Sequence, residues 1–436
     1  MKQLTSAACL LALASISGAP AWASANFSVS RVSGVAIVRQ DDPAADLIGT
    51  QVRLQAGLDR QSPAQNGLAA LVAEAILQTP VAGSASLRDA IAANGGSIAY
   101  DIDPHDVRFY LEGTPDGYAA QLELLRSALA RPDFSSAALA RARVALNARN
   151  AQTQQFALAV GLQMLNRTFY TNSDAGMPPL GLPQTLAGFR TSDARSFFAA
   201  YYLRGGAVVS TVGQIQNVAP SALENILDVL PAGSSAPAKV TTAQLSSNSR
   251  QLIARRDIPV PWLIAQYKAP DLLGRDFGAM LVLTSFLQRT LSDVASVPAL
   301  STPSFAQRGV GAVYNFDSHP ANVVVYVDGG GDPTRVFATA LTIVNVLGHA
   351  KLQGDLSDMK TFAIGRFLDQ TTSLRDRAWL ASVFTAQRLP PDYVAQTVAA
   401  INKTTAADLQ RVAVRYLGLP NIALVLPRDS QQTPSP

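Results

Sequence analysis

The sequence predicts an α+β protein built as two tandem homologous domains, each a mainly antiparallel sheet with helices packed on one side. Three observations carry this. The chain repeats itself: Gly-Gly-Ser-Ile-Ala-Tyr-Asp-Ile-Asp-Pro-His near position 95 returns as Gly-Val-Gly-Ala-Val-Tyr-Asn-Phe-Asp-Ser-His at an offset of 214 residues, Gly95 to Gly309. The same offset pairs Tyr100 with Tyr314, Asp103 with Asp317, His105 with His319, Thr191 with Thr405 and Tyr202 with Tyr416. One register held over that distance describes duplicated units of roughly 200 residues, each able to bury its own core. Within each unit, short alternating strands precede several grouped helices, the pattern of helices laid on a sheet. Finally, Pro231-Ala-Gly-Ser-Ser-Ala-Pro and the Thr/Ser/Gln-rich stretch up to Ser249 read as an exposed linker between the units.

The elements follow in order. Val35 to Val38 and Ile48 to Leu54 are strands, separated by the turn-forming Gln40-Asp41-Asp42-Pro43. A helix runs from about Pro63 to Gln78, capped by Ser62 or Asn66. Residues 84–94 form a short helix that Asn94-Gly95-Gly96 ends with good left-handed formers. Strands cover Ser97 to Ile102 and Val107 to Gly113. Helices cover Gly117 to Ala130 and, as one long element, Ser136 to about Asn166. Residues 171–185 are an extended loop. Thr191 caps a helix ending near Tyr202, and Ala207 to Val212 closes the unit as a strand. The second unit repeats the order: a strand at 260–267, a helix at 275–292, strands at 310–316 and 322–328, helices at 333–350, 354–368 and 404–416, and a strand from Ile422 to Leu426.

Composition narrows the function classes. Of 436 residues, 48% are hydrophobic and 15% charged, the balance of a well-buried globular chain. The net charge of +4 is spread without dense basic runs, so nothing resembles a nucleic-acid footprint. Residues 1–25 read as a secretory signal peptide. Lys2 supplies the positive start, Leu4 to Ile16 an apolar run too short to span a bilayer, and Ala21-Trp22-Ala23 and Ala23-Ser24-Ala25 two cleavage signals. A periplasmic or secreted location is expected, with no membrane span after signal removal. The single cysteine, Cys9, lies in the signal, so the mature chain has no thiol for a disulfide or a thiolate metal site. The remaining divisions are an N-terminal domain at 26–230, the linker at 231–250 and a C-terminal domain at 251–430.

An ordered set of residues then resembles a known family. Ala56-Gly57, Asn66-Gly67-Leu68-Ala69, the helix closing on Gly95 and Gly96, Ser97-Ile98-Ala99-Tyr100, Pro179-Leu180-Gly181 and the Thr191 to Tyr202 helix together resemble the pitrilysin/insulinase metallopeptidases, the two-domain inverzincins with an H-x-x-E-H zinc motif. The resemblance covers essentially the whole mature chain and implies a half clamshell. It does not carry the chemistry. At the positions of the two histidine ligands stand Ala70 and Glu74, and at that of the general base stands Ala73. Two imidazoles four residues apart on one helix face grip a zinc ion that a glutamate's water then uses. Here the helix offers two methyl groups and one carboxylate, which fits a solvated or hydrogen-bonded helix residue. The family's third ligand, a glutamate, falls near Leu146 to Ala151, yet no acidic residue occurs between Asp133 and Asp174. No catalytic zinc and no other cofactor is expected in this chain.

In the second domain the resemblance implies an arginine and, seven residues on, a tyrosine that stabilise the oxyanion of a scissile carbonyl. Arg308 and Tyr314 fall there at a spacing of six, with Arg289 as a second candidate arginine. The structural alternative is a surface charge and a strand aromatic, matched by Tyr100 in the other repeat. His105 and His319 each follow an aspartate by two residues and read as polar turn histidines. His349 stands near a helix end, where a cation offsets the dipole. Gly329-Gly330-Gly331 lacks the spacing of a phosphate cradle, and no Gly-x-Ser-x-Gly elbow occurs.

The expectation is therefore an exported, catalytically inactive subunit that pairs with a zinc-bearing homologue, or with a second copy of itself, for peptide binding and proteolysis. Arg308 and Tyr314 would act in trans, and the zinc would reside in the partner. The alternative is a peptide-binding or scaffold protein with no role in proteolysis, as in the core subunits of the respiratory cytochrome bc complex, which keep the fold and have lost the zinc.

Overall fold

A computed structural model describes residues 27–171, 174–234, 242–243, 251–295, 309–318, 320–329, 332–349 and 356–429. The expected signal peptide and most of the expected linker lie outside these residues.

The N-terminal half opens with strands β1 (Phe27–Val32), β2 (Val35–Asp41) and β3 (Ile48–Leu54). Helices α1 (Leu68–Leu77) and α2 (Leu87–Ala93) lead to the hairpin β4 (Gly96–Ile102) and β5 (Val107–Gly113). Then come α3 (Tyr118–Ala130), α4 (Ser136–Thr153), α5 (Ala157–Phe169), β6 (Tyr170–Thr171), α6 (Pro183–Gly188), α7 (Thr191–Tyr201), β7 (Val208–Gly213) and α8 (Pro220–Glu224). The C-terminal half follows β8 (Thr242–Ala243) with β9 (Gln251–Arg256), β10 (Trp262–Lys268), α9 (Phe277–Ala295), β11 (Val310–Asn315), β12 (Asn322–Asp328) and α10 (Pro333–His349). Helices α11 (Ser357–Asp369), α12 (Leu374–Ala386), α13 (Tyr393–Lys403) and α14 (Ala406–Tyr416) precede the closing strand β13 (Asn421–Pro427).

The two large sheets are mixed but mainly antiparallel, as the repeat predicts. The N-terminal sheet has the order β1-β2-β7-β3-β5-β4, with β2 and β7 parallel. The C-terminal sheet has the order β11-β12-β10-β13-β9, with β13 and β9 parallel. Thus β4 and β11, the strands that carry the repeated Tyr100 and Tyr314, are edges of their sheets.

Helices on one side of each sheet form its main core. Alternation puts Val35, Ile37, Val52, Leu54 and Val209 against α1 and its neighbours. The opposite faces are not left to solvent, which the sequence did not indicate. Each is covered by a helix from the other half. Ala36, Val38 and Val208 join a core with Leu380, Ala381 and Phe384 of α12. Reciprocally, Ala157, Val160 and Leu165 of α5 pack on Ile264, Ala423 and Val425. Gly161 permits this approach, since a Cβ there would meet Ile264 at 2.6 Å. The helices α5 and α12 occupy matching places in the repeat, so the halves exchange equivalent elements.

This exchange explains the main departure from the predicted elements. The single long helix expected from Ser136 to Asn166 is two helices, α4 and α5, broken at Gln154 to Phe156. The chain turns there to carry α5 onto the other sheet. Helices α12 and α13 and strand β9 were absent from the sequence reading. The helix expected from Pro63 begins instead with a short 3₁₀ turn capped by Ser62 and Gln65, and α1 starts at Leu68. Gly67 takes φ +94° between them, with Gly181 packed against it. Within the expected linker, β8 pairs with β6.

Candidate functional site

The residues corresponding to the zinc motif sit on α1, which is buried on every side. Ala70 and Ala73 are fully buried and contribute methyl groups to the core. Glu74 is also fully buried, at 0% exposure, so it is not the solvated residue that was one of its two sequence readings. It is the hydrogen-bonded one. Arg88 of α2 holds it in a bidentate pair: Nη1 donates to Oε1 at 2.6 Å and Nη2 to Oε2 at 3.0 Å. Gln78, one turn on, donates to Oε1 at 3.0 Å.

A second guanidinium closes the group. Arg149 of α4 brings Nη1 to 3.9 Å from Glu74 Oε2. Its charged carbon lies 4.8 Å from the centre of the Tyr100 ring on β4, within cation–π range. Arg149 falls in the segment 146–151, where the family resemblance places the third zinc ligand, a glutamate. A cation thus stands in the segment where the family carries an anionic ligand.

The electrostatics follow from burial and pairing. Burial alone pushes the Glu74 carboxyl up, but the bonds from Arg88 and Gln78 outweigh it and hold the group below its ordinary value. It is ionised at neutral pH, and its lone pairs are committed to side chains of this chain. Burial, with the Glu74 charge nearby, pushes the Tyr100 phenol far up, so it stays neutral. Arg88 and Arg149 remain partly exposed, with side-chain exposures of 37% and 39%.

These residues do not fit a catalytic zinc. Such a site needs three protein donors around an open position. Here one donor position, Ala70, is a methyl group, the carboxylate at another, Glu74, is sequestered by Arg88, and near the third stands a guanidinium that repels a dication, while the base position, Ala73, is a second methyl. Among the described residues no group of three or more His, Cys, Asp or Glu is placed to hold a metal ion.

The other residues singled out from sequence fall elsewhere. Tyr314 of β11 is buried, and its hydroxyl donates to the Pro270 carbonyl. Its ring packs against Phe277 and Phe316. Arg308 lies outside the described residues. Arg289 is on α9, its guanidinium 5.6 Å from the Phe362 ring centre. His105 sits in the β4–β5 turn, with Nδ1 2.7 Å from Asp59 Oδ2. His319 is outside the described residues, as are Gly330 and Gly331. His349 is the last residue of α10.

Sequence reasoning missed two groups. One is Arg88 and Arg149. The stretch between Asp133 and Asp174 has no acid, and the signal it does hold is the cation inside it. The other lies where the halves meet. Asp103 and Asp317, one from each hairpin turn, share Arg108, while Arg53 pairs with Asp106. Arg375 with Asp101 and Arg377 with Asp42 add further ties between the halves.

No protein-family model matches the chain, and no curated protein matches it in sequence. Solved structures do match in fold. A protease from Helicobacter pylori superposes with a TM-score of 0.78 at 15% identity, over 92% of this chain and 100% of that one. A peptidase M16 inactive domain from Pseudomonas fluorescens gives 0.74 at 16% identity, over 94% and 100%. A chain of Complex III from Candida albicans gives 0.74 at 12% identity, over 92% and 95%. The architecture is therefore the two-domain fold of the M16-like peptidases, the pitrilysin/insulinase type.

Proposed function

We propose that this chain is an exported, catalytically inactive subunit that pairs with a zinc-bearing homologue and helps hold peptides for proteolysis. The observation that carries the reading is the Glu74–Arg88 pair with Arg149 beside it. An internal ion pair fills the place of the metal, so the fold is kept without zinc. The likeness to a structure described as an inactive domain agrees with this.

Pairing rests on the resemblance: a two-domain chain makes half of a closed chamber. An extended peptide could add to a sheet edge. The edge of β11 is already occupied in part. Gln288 Oε1 accepts from the Ala312 N–H at 2.8 Å, and Arg366 Nη2 donates to the Ala312 carbonyl at 3.2 Å. That favours β4, which carries Tyr100 of the Glu74 cluster, as the receiving edge. Export rests on the leader-like residues 1–25.

The test is co-expression with an exported homologue that retains H-x-x-E-H and the distal glutamate. A complex should form that cleaves peptides, while this chain alone cleaves none. Chelator-sensitive cleavage by this chain alone overturns the reading. In the same complex, Tyr314→Phe reports whether that residue serves the reaction. A rate drop without loss of stability supports the role in trans, and an unchanged rate leaves Tyr314 to packing and its Pro270 bond.

The likeness to the Complex III chain keeps one alternative, a scaffold with no part in proteolysis. Its mark is a stable complex in which no partner carries an intact zinc motif.

A further inference from the structure

The duplication supplies an internal comparison. In the N-terminal half, Gly67 before α1 is approached by Leu186 of α6, a fully buried side chain that fills the space beside it. In the C-terminal half, Gly278 at the start of α9 is approached by Ala400 of α13, the residue 214 positions after Leu186. Ala400 meets Gly278 through its own carbonyl and Cβ, and the leucine side chain has no counterpart here. A cavity of about 560 Å³ opens there, within the range of small-ligand sites. Leu272, Phe277, Phe384, Leu389 and Ala400 give it an apolar wall, and Leu273, 60% exposed, stands at its mouth.

The rim carries two cations and one carboxylate, Asp408. Arg275 and Lys403 both line the cavity. Arg411 and Arg415 stand behind them. The only carboxylates these four cations meet in ion pairs, among the described residues, are Asp276 and Asp408. Asp276 is already bonded by Arg411 at 2.6 Å, with Arg275 and Arg415 each at 3.7 Å. Asp408 is held by Thr405 and Arg411. Asp276 and Asp408 are thus engaged by arginines, and among the described residues Lys403 makes no ion pair beside the apolar hollow. An apolar group attached to a carboxylate satisfies both parts.

We infer that this cavity binds the C-terminal end of a peptide that finishes in an apolar residue. The last side chain enters the hollow and the terminal carboxylate meets Arg275 and Lys403. The choice of a peptide over another apolar anion rests on the peptide-binding role proposed above. It adds a second contact, on the C-terminal half, to the sheet edge at β4.

The test uses the full mature chain and a fluorescein-labelled hexapeptide ending in leucine, followed by fluorescence anisotropy. The free acid binds, and its C-terminal amide binds about tenfold more weakly, the usual worth of a charge-assisted hydrogen bond. Ala400→Leu, which copies Leu186 into the cavity, removes binding while the circular dichroism spectrum is kept. Lys403→Gln, at a surface position that leaves the core intact, weakens the acid to about the level of the amide. The proposal is overturned if the acid does not bind, if acid and amide bind equally, or if folded Ala400→Leu binds as wild type. Binding of decanoate without the peptide overturns it too. Partner capture and partner-dependent cleavage are read separately, so a failed cavity and a failed pairing are told apart.

Discussion

Asp103 and Asp317 hold the same place in the two repeats, 214 residues apart, and meet on one side chain. Arg108 Nε lies 3.3 Å from Asp103 Oδ2, and its Nη1 lies 3.7 Å from Asp317 Oδ2. The hairpin turns of the two halves therefore face each other, with a single guanidinium between two equivalent carboxylates. Arg53 and Asp106 complete the group. Three carboxylates face two guanidiniums, and the acids do not fare equally. Burial pushes Asp103 up, but Arg108 and Arg53 hold it below its ordinary value. Burial, reinforced by Asp103, leaves Asp106 and Asp317 raised.

That imbalance predicts opposite outcomes for two substitutions at one contact. Arg108→Gln strands the carboxylates and costs about 3 kcal/mol. Asp317→Asn removes the anion that is held least well and changes stability by less than about 1 kcal/mol at neutral pH. Urea unfolding of both variants checks this. Equal losses contradict the assignment.

His105 gives a pH signature on the alkaline side. Burial lowers its pKa, but the bond to Asp59 and the nearby charges of Asp103 and Asp106 raise it above 6.5. The folded state then binds the proton more tightly than the unfolded chain. Its contribution to stability is full below pH 6.5 and is lost as pH rises through the folded value. Wild-type stability should fall over that window, and His105→Asn should flatten the fall. Thermal unfolding from pH 6 to 9 reads it, and an unchanged slope contradicts the assignment.

The two arginines of the Glu74 group differ in worth. Arg88 is the bidentate partner of a fully buried carboxylate, so Arg88→Ala leaves a buried charge and costs about 3–5 kcal/mol. Arg149 is 3.9 Å away and partly exposed, so Arg149→Ala costs about 1 kcal/mol or less. Chemical denaturation checks the order, which a reversed ranking would contradict.

The edge of β11 is guarded by side chains. Removing both guards in Gln288→Ala/Arg366→Ala frees the N–H and carbonyl of Ala312 for pairing with another chain. Self-association should rise with concentration in sedimentation velocity more steeply than it does for the wild type. A double variant that associates no more than the wild type removes the guarding role.

How far the fold could be read from sequence depended on the type of signal. The repeat placed both halves, and period-2 runs such as Val107 to Gly113 placed strands in their correct order. The break after Thr153 was not legible, because α4 and α5 are both helical and only the packing of α5 on Ile264, Ala423 and Val425 demands a turn. The solvent-poor faces of β2 and β7 were opaque for the same reason, since their cover comes from α12 in the other half. At the site, the departures at Ala70, Ala73 and Glu74 from the ligands and base of the motif were legible residue by residue. The replacement was not. Arg88 and Arg149 come from two other helices, and no local spacing announces that they converge on Glu74.

Zinc content bears most directly on the claim that an ion pair stands in for the metal. The full chain should be purified from zinc-supplemented medium without chelators, dialysed and measured by plasma mass spectrometry. Less than about one tenth of a zinc ion per chain is expected, unchanged in Arg149→Ala, because Ala70 offers no donor and Glu74 stays bonded to Arg88. One tightly held zinc per chain, lost on substitution of Glu74, would contradict the claim.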